Sequence, residues 1–289
     1  MIPIVFSSDD KYSRHLGVSL VSIFENKNKK TKIKTYILDG GISKENKLKL
    51  LKIAKNYNTK IIFIKIENEI INSLPVNYHI TSPAYFRLLI PKIILENKII
   101  YLDCDTIIKK DLTNLFNINL CNKAIGAVEA LTKKENLKRK PWIGNIYINS
   151  GVMLIDCNRW NKINLTEKTI KFAKKNPTKL ENVDQDAINY TCQKYIKTLD
   201  RKYNLEVKTE DKKTKIKHIN IIIIHYIGSI KPWHFMYNGP LKEEYKKYLK
   251  KTPWKNNKYS DKNIKNIIKK IIFILFPKKI VKIIMQLTK

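Results

Sequence analysis

The sequence is short of acid, poor in cysteine, and lacks any apolar stretch long enough to cross a bilayer. Its 289 residues carry 57 Lys and Arg against 25 Asp and Glu, a formal charge of +32. Four cysteines, Cys104, Cys121, Cys157 and Cys192, are scattered with no C-x-x-C pair. That spacing suggests neither a zinc knuckle nor a disulfide framework and fits a reducing compartment. The longest late apolar run, Ile271 to Phe276, is bracketed by Lys269, Lys270, Lys278 and Lys279, and is far too short for a membrane span. The first residues, MIPIVFSSDD, have a brief apolar stretch, no basic leader and a terminal acidic pair, unlike a signal peptide. No internal repeat is visible. A cytoplasmic location is expected.

What is present is an apolar content of 43%, which sets the chain apart from disordered proteins. The length suits one large α/β domain or two ordinary ones. The positive charge points to polyanionic partners: nucleic acid, an acidic membrane surface or phosphorylated substrates. Lys, Asn and Ile are heavily used throughout, however, as A+T-rich coding would produce, and this weakens the charge as a clue.

Short β-rich runs alternate with helical patterns over the first 155 residues or so. Ile2–Phe6, Ile33–Leu38, Ile61–Ile66, Ile99–Leu102, Ala124–Val128 and Gly151–Ile155 read as strands. Ser13–Phe24 and Ser43–Tyr57 have apolar residues at helical spacing, the second with Ser43 as N-cap. Ser82 and Pro83 open a further helix carrying Tyr85, Phe86 and Arg87. Nearly all-apolar strands alternating with helices predict a Rossmann-like, mainly parallel sheet covered on both faces. From Thr166 onward helices dominate, including Asp184–Lys197, before a last buried strand, Ile219–Ile224, runs into His225. Residues 251–261 read as a polar linker and 262–289 as a separate tail.

In such sheets ligands bind beyond the carboxyl ends of the strands. Ser7-Ser8-Asp9-Asp10, Asp39-Gly40-Gly41 and Asp103-Cys104-Asp105 all follow strands. Two carboxylates behind a buried strand repel each other and lose hydration unless something positive sits between them. D-x-D is commonplace, and most copies are solvated turns. Here the position argues for a divalent cation, Mg²⁺ or Mn²⁺, of the kind that completes its shell with substrate phosphates. The stretch HYIGSIKPW, His225 to Trp233, occupies the same architectural position. His225 offers an imidazole, which tilts the preference toward Mn²⁺. Gly228 allows backbone to approach a phosphate, and Lys231 gives it a point charge.

Five segments ahead of HYIGSIKPW, in this order, resemble glycosyltransferase family 8: VFSSDDKY (5–12), SPAYFRLLIP (82–91), YLDCDTIIKKDL (101–112), YINSGVMLID (147–156) and NVDQDAIN (182–189). The family includes the bacterial lipopolysaccharide galactosyl- and glucosyltransferases and glycogenin, and the likeness covers about residues 2 to 235. It implies a GT-A fold, a UDP-sugar donor (UDP-galactose or UDP-glucose), Mn²⁺ and retention at the anomeric carbon. On the matching positions, Asp103, Asp105 and His225 are implied metal ligands, with Cys104 between the first two in the donor site. Asp9 and Tyr12 match uracil-contacting positions, and Ser7 one that meets the nucleoside through its backbone. Gly228 and Lys231 match diphosphate binders, with His79 near them. Arg87, Asn149, Asp184 and Gln185 match residues around the donor sugar. Lys11 stands where asparagine often precedes the tyrosine, and Ala130 where some relatives carry an acidic acceptor-side residue, with Glu129 beside it. A catalytic domain over 1–250 follows, its nucleotide-sugar part about 1–156 and the part completing the active site about 157–250. The implied acceptor is a saccharide or lipid-linked oligosaccharide, such as lipopolysaccharide, lipooligosaccharide or another surface glycan.

Departure of UDP builds negative charge that a cation and Lys231 are suited to stabilise. Double displacement needs a carboxylate on the opposite face of the sugar, where the matching residue is Gln185, a poor nucleophile. Same-face attack through a short-lived ion pair is therefore favoured. Asp184 and Asp186 also read as helix-start acids, and Arg87 equally as a buried partner of Asp103. Trp160 and Trp233 read as packing residues. Two rivals come from other classes. A haloacid-dehalogenase-like phosphatase would use Asp103 as nucleophile, but its pattern wants threonine where Ile107 stands. A basic nucleic-acid binder would need a clustered basic face or a recognition motif, whereas the lysines here are spread, so no nucleic-acid partner is expected. In the tail, Ile264, Ile267, Ile268, Ile271, Ile272 and Leu275 recur at helical spacing among lysines, ahead of Pro277 and Lys278–Met285. A basic amphipathic helix bound to the anionic inner face of the plasma membrane is expected, with a helix packed on the body as the alternative.

Overall fold

The computed structural model describes residues 1–67, 71, 73–74, 82–211, 220–257 and 259–275. The apolar runs do form strands: β1 (Ile2–Ser8), β2 (Ile33–Asp39), β3 (Ile61–Lys65), β4 (Lys98–Leu102), β5 (Thr106–Ile108), β6 (Ile125–Leu131), β7 (Tyr147–Asp156), β8 (Ile196–Thr198), β9 (Leu205–Val207) and β10 (Ile223–Tyr226). Seven make one sheet in the order β3-β2-β1-β4-β7-β6-β8, and β5-β10-β9 make a second.

Successive side chains of a strand face opposite ways, so each central strand feeds two cores. Ile4, Phe6, Ile100, Leu102, Val152 and Leu154 enter one, with α1 (Ser13–Asn26) and α2 (Lys44–Asn56). Val5, Ile99, Tyr101, Met153 and Ile155 enter the other, with the 3₁₀ helix Ser82–Leu89 and the helix Val183–Thr191. Burial on both faces is why these strands read as continuous apolar runs. Ser43 caps α2, accepting from Asn46 N at 3.3 Å.

The first four strands are parallel, but β7 runs antiparallel to both β4 and β6. The helix expected over Asp184–Lys197 ends at Thr191, and Ile196–Thr198 forms a strand beside β6. β8 joins the main sheet beside β6, and β5 pairs with β10, so strands from before and after residue 156 share both sheets.

Residues 251–261 are not a free linker. Trp254 is buried and lies so close over α1 that a Cβ at Gly17 would meet its ring at 2.5 Å. The indole donates to Asn46 Oδ1 at 3.2 Å, and Asp261 accepts from the backbone of Phe235 and Met236. One aromatic residue thus anchors an otherwise polar segment. The helix Ile264–Leu275 follows. Lys270 ties it to Phe235, donating to the carbonyl at 2.6 Å and lying 4.3 Å over the ring. Ile264, Ile268 and Ile271 stay exposed at 77%, 54% and 49%. Among the described residues no helix is long and apolar enough to cross a membrane. Pro277 and Lys278–Met285 lie outside the described residues.

Candidate active site

β4 ends at Leu102, and the turn Asp103-Cys104-Asp105 leads into β5. β5 pairs antiparallel with β10, setting Thr106 opposite His225. His225 therefore lies within its strand, not beyond it. The pairing draws one ligand atom each from Asp103, Asp105 and His225 to within 4.8 Å of one another. His225 Nε2 is 3.2 Å from Asp105 Oδ1 and 3.8 Å from Asp103 Oδ2. Close approach depends on Gly151, where a Cβ would lie 2.3 Å from His225 Cε1 and 2.5 Å from Asp103 Oδ2.

Gly151 belongs to a bulge. β6 and β7 pair at Ala127–Met153 and again at Glu129–Ile148, so residues 149–152 arch away from their neighbour. Bulges release backbone groups from the ladder and occur beside active sites. Here the site takes up the four of Ser150 and Gly151. Ser150 N donates to Gln185 Oε1 at 3.0 Å, and Ser150 O accepts from Arg87 Nη1 at 2.7 Å. Gly151 N donates to Asn149 Oδ1 at 2.9 Å, and Gly151 O accepts from Asp103 N at 2.7 Å.

Asp105 carries the most telling electrostatics. Its Oδ2 takes Lys231 Nζ at 2.6 Å, while its buried Oδ1 has no hydrogen-bond donor aligned on it. Burial alone would raise this carboxyl, but Lys231 and His225 outweigh it and hold it well below the usual carboxylate range. Burial would likewise depress His225, yet Asp105 and then Asp103 hold it above its ordinary value. A buried oxygen without a donor, a second carboxylate and an imidazole suit a divalent cation. The residues present fit a metal.

Arg87 is buried and bridges Asp103 Oδ1 at 3.1 Å and Asp184 Oδ2 at 3.0 Å, over the Tyr101 ring. The ion-pair reading of Arg87 holds. Burial pushes Asp184 up to about 6 against the pull of Arg87. Asp184 follows Val183, whose φ of +32° is strained for a β-branched residue. Asp186 is the acid that serves the helix start, accepting from Asn182 N at 2.9 Å. Its two oxygens also take Tyr147 Oη at 2.5 Å and Lys140 Nζ at 2.8 Å. Tyr147 in turn accepts from Gln185 Nε2 at 3.0 Å, so both ends of the Gln185 amide are held.

On the nucleoside side, Asp9 Oδ1 accepts from Tyr12 N at 3.0 Å. The Tyr12 ring meets His15 and Trp233 edge-on, and Trp233 stacks on His15 at 3.5 Å. Trp160 is fully buried, so both tryptophans pack as expected. Gly228 has φ +83° with open space where a Cβ would stand. Two placements differ from expectation. The Cys104 thiol turns inward and donates to Ser7 O at 3.2 Å, engaging part of the backbone expected to meet a nucleoside. Lys231 lies on Asp105 and the Tyr226 carbonyl, with no reach toward open space, because two buried acceptors compete for its charge. Glu129 is exposed. His79 lies outside the described residues. Sequence reasoning missed Tyr147, Lys140, Ser150, Gly151 and Asn204. The first, third and fourth stand in YINSGVMLID, where the bulge gave no signal of its own.

The glycosyl transferase family 8 model matches residues 3–237. The chain belongs to glycosyl transferase family 8. It is 32% identical over 272 residues to general stress protein A of Bacillus subtilis (strain 168), covering 87% of this chain and 94% of the relative. It is 28% identical over 281 residues to the lipopolysaccharide 1,2-glucosyltransferase of Escherichia coli (strain K12), covering 92% and 82%. The solved structure of the galactosyltransferase LgtC in complex with donor and acceptor sugar analogues is similar with a TM-score of 0.77 at 24% identity, covering 87% of this chain and 96% of that one. The family 8 fold, GT-A, is therefore the fold of this chain, and neither the phosphatase nor the nucleic-acid reading is supported.

Proposed function

We propose that this family 8 enzyme is a retaining hexosyltransferase that moves galactose or glucose from a UDP-sugar to a saccharide acceptor. The observation that carries the reading is the convergence of Asp103, Asp105 and His225 around the buried Asp105 Oδ1, which faces His225 Nε2 at 3.2 Å and has no aligned donor. Mn²⁺, with Mg²⁺ as the alternative, is the cation that suits two carboxylates and an imidazole, and when bound it would stabilise the charge of departing UDP. Asp103, Asp105 and His225 would hold that cation. Lys231, 2.6 Å from Asp105, adds positive charge at the same edge. Tyr12, backed by Trp233 and His15, offers a ring to uracil, and Asp9 holds the turn before it. Ser7 and Cys104 line the floor beneath. Gly228 leaves the loop open for a diphosphate.

The sugar would lie against Arg87, Asn149, Asp184 and Gln185. Double displacement gains no support from Asp186, which is 0% exposed with both oxygens engaged. Asp184 is paired with Arg87. Gln185, fixed at both ends, is suited to orient the anomeric centre or to stabilise developing charge there, and same-face attack is the reading we adopt. The donor and Mn²⁺ are tested without knowing the acceptor. Purified enzyme is incubated with a panel of UDP-sugars and Mn²⁺, and slow release of UDP is measured. Hydrolysis of UDP-galactose or UDP-glucose above the other donors supports the reading, and no hydrolysis of any UDP-sugar counts against it.

Relatives named as lipopolysaccharide glucosyl- and galactosyltransferases favour a lipopolysaccharide, lipooligosaccharide or other surface-glycan acceptor. A lipid-linked acceptor gives meaning to residues 262–289. The exposed Ile264, Ile268 and Ile271 form an apolar stripe among lysines, suited to the acyl boundary of an anionic membrane. We place the enzyme in the cytoplasm, on the inner face of the plasma membrane.

A further inference from the structure

Behind the His225 imidazole lies a buried chain of hydrogen bonds with only one consistent polarity. It begins at a group whose role is beyond choice: a backbone N–H only donates. Gly151 N is 2.9 Å from the Asn149 side chain, so the atom facing it is the carbonyl Oδ1. Asn149 Oδ1 is also 3.0 Å from Asn204, which must therefore present its own Nδ2 there. That leaves Asn204 Oδ1 facing His225 Nδ1 at 3.1 Å. An amide oxygen only accepts, so Nδ1 carries the hydrogen. A neutral imidazole holds one hydrogen, and its lone pair then sits on Nε2, the atom that faces Asp105 and Asp103.

We propose that Asn204 is a positioning residue that fixes His225 in the Nδ1–H form and so turns the Nε2 lone pair toward the cation. The inference rests on the metal reading above. Asn204, His225 and Asn149 are 1%, 3% and 8% exposed, so water does not supply an alternative partner. Asn204 is itself placed by two features. The turn Arg201–Tyr203 ends on it, with Asn204 N donating to Arg201 O at 3.1 Å. The next residue, Leu205, opens β9 in register with Ile224 of β10. Metal-bound histidines generally depend on such a partner for ring orientation and tautomer, and its loss costs about 10- to 100-fold in metal affinity.

The test has a spectroscopic arm and a binding arm. In metal-free enzyme labelled with ¹⁵N-histidine, at a pH where His225 is neutral, Nδ1 should give the shift of a hydrogen-bearing nitrogen and Nε2 that of a bare one. Asn204→Leu should lose this bias. Its Mn²⁺ affinity, titrated by electron paramagnetic resonance with UDP present, should fall by about 10- to 100-fold. Asn204→Asp still offers Nδ1 an acceptor and should keep the Nδ1–H form and bind Mn²⁺ more tightly than Asn204→Leu. A hydrogen on Nε2 in the unmutated protein overturns the proposal without any variant. Unchanged Mn²⁺ affinity in Asn204→Leu overturns it as well. Asp105→Asn serves as the control: if it too leaves Mn²⁺ binding unchanged, the metal reading has failed, and if it alone abolishes binding, only the role of Asn204 has failed.

Discussion

Gly151 is where a single atom decides the site. A methyl group there would overlap His225 and Asp103 at once, both of which are held by other contacts. Overpacking of this kind costs about 1–3 kcal/mol when neighbours must shift. Gly151→Ala should therefore keep its fold, seen as an unchanged far-ultraviolet spectrum, but lose Mn²⁺ binding. Unchanged Mn²⁺ affinity would show that the ligands do not need this approach. Lys231 and Gln185 separate a leaving-group role from a sugar-orienting role. Lys231→Ala should weaken UDP binding along with turnover, because its charge stands at the metal edge. Gln185→Ala should lower kcat while leaving UDP affinity nearly intact, since its amide is tied to Ser150 and Tyr147 and to none of the three proposed metal ligands. Equal loss of UDP affinity in both would mean the roles are misassigned.

At the scale of elements, the tail helix offers the sharpest test. It docks on Phe235 through Lys270 and leaves three isoleucines facing outward. Deleting residues 262–289 should leave UDP-sugar hydrolysis intact and abolish sedimentation with vesicles containing anionic lipid. Each lysine near such lipid contributes roughly 1 kcal/mol, so high salt should also release the full chain. Unfolding on deletion, or binding that ignores lipid charge, would make the helix a structural part of the body. Elements were legible in the sequence wherever burial imposed a period. β1, β2 and β4 are buried on both faces and read directly as apolar runs, and α2 announced itself through Ser43. The reversed direction of β7 was not legible, since a strand buried on both sides carries no mark of its orientation. Neither was the bulge at residues 149–152, whose purpose appears only when Arg87, Gln185 and Asp103 are seen to bond its backbone. Asp103, Asp105 and His225 were legible because ionisable groups behind apolar runs are conspicuous. Asn204 was not, being one asparagine among many. Trp254 reversed the reading of residues 251–261, where overall polarity hid one anchoring ring.

For the whole molecule, charge and pH converge on the metal site. His225 is held above its ordinary value, so the metal-free protein gains stability from its protonated form. That gain is complete below the ordinary histidine value of about 6.5 and is lost as pH rises through the raised one. Asp105 behaves in the opposite sense, contributing stability that is lost only as pH falls through its depressed value. Mn²⁺ must displace the Nε2 proton. Its affinity should therefore rise between about pH 6 and about pH 8 while the metal-free protein becomes less stable over the same interval. Isothermal titration with Mn²⁺ and thermal melts of the metal-free protein at both values check the two slopes, and parallel slopes would contradict the assignment of His225. The central claim, a UDP-sugar transferase whose chemistry runs at Asp103, Asp105 and His225, meets its most direct test in the metal dependence of turnover. UDP release is followed in the unmutated enzyme and in Asp105→Asn, first in EDTA and then with excess Mn²⁺. Activity that is absent in EDTA, restored by Mn²⁺ in the unmutated enzyme and not restored in Asp105→Asn is the predicted result; full activity in EDTA would contradict it.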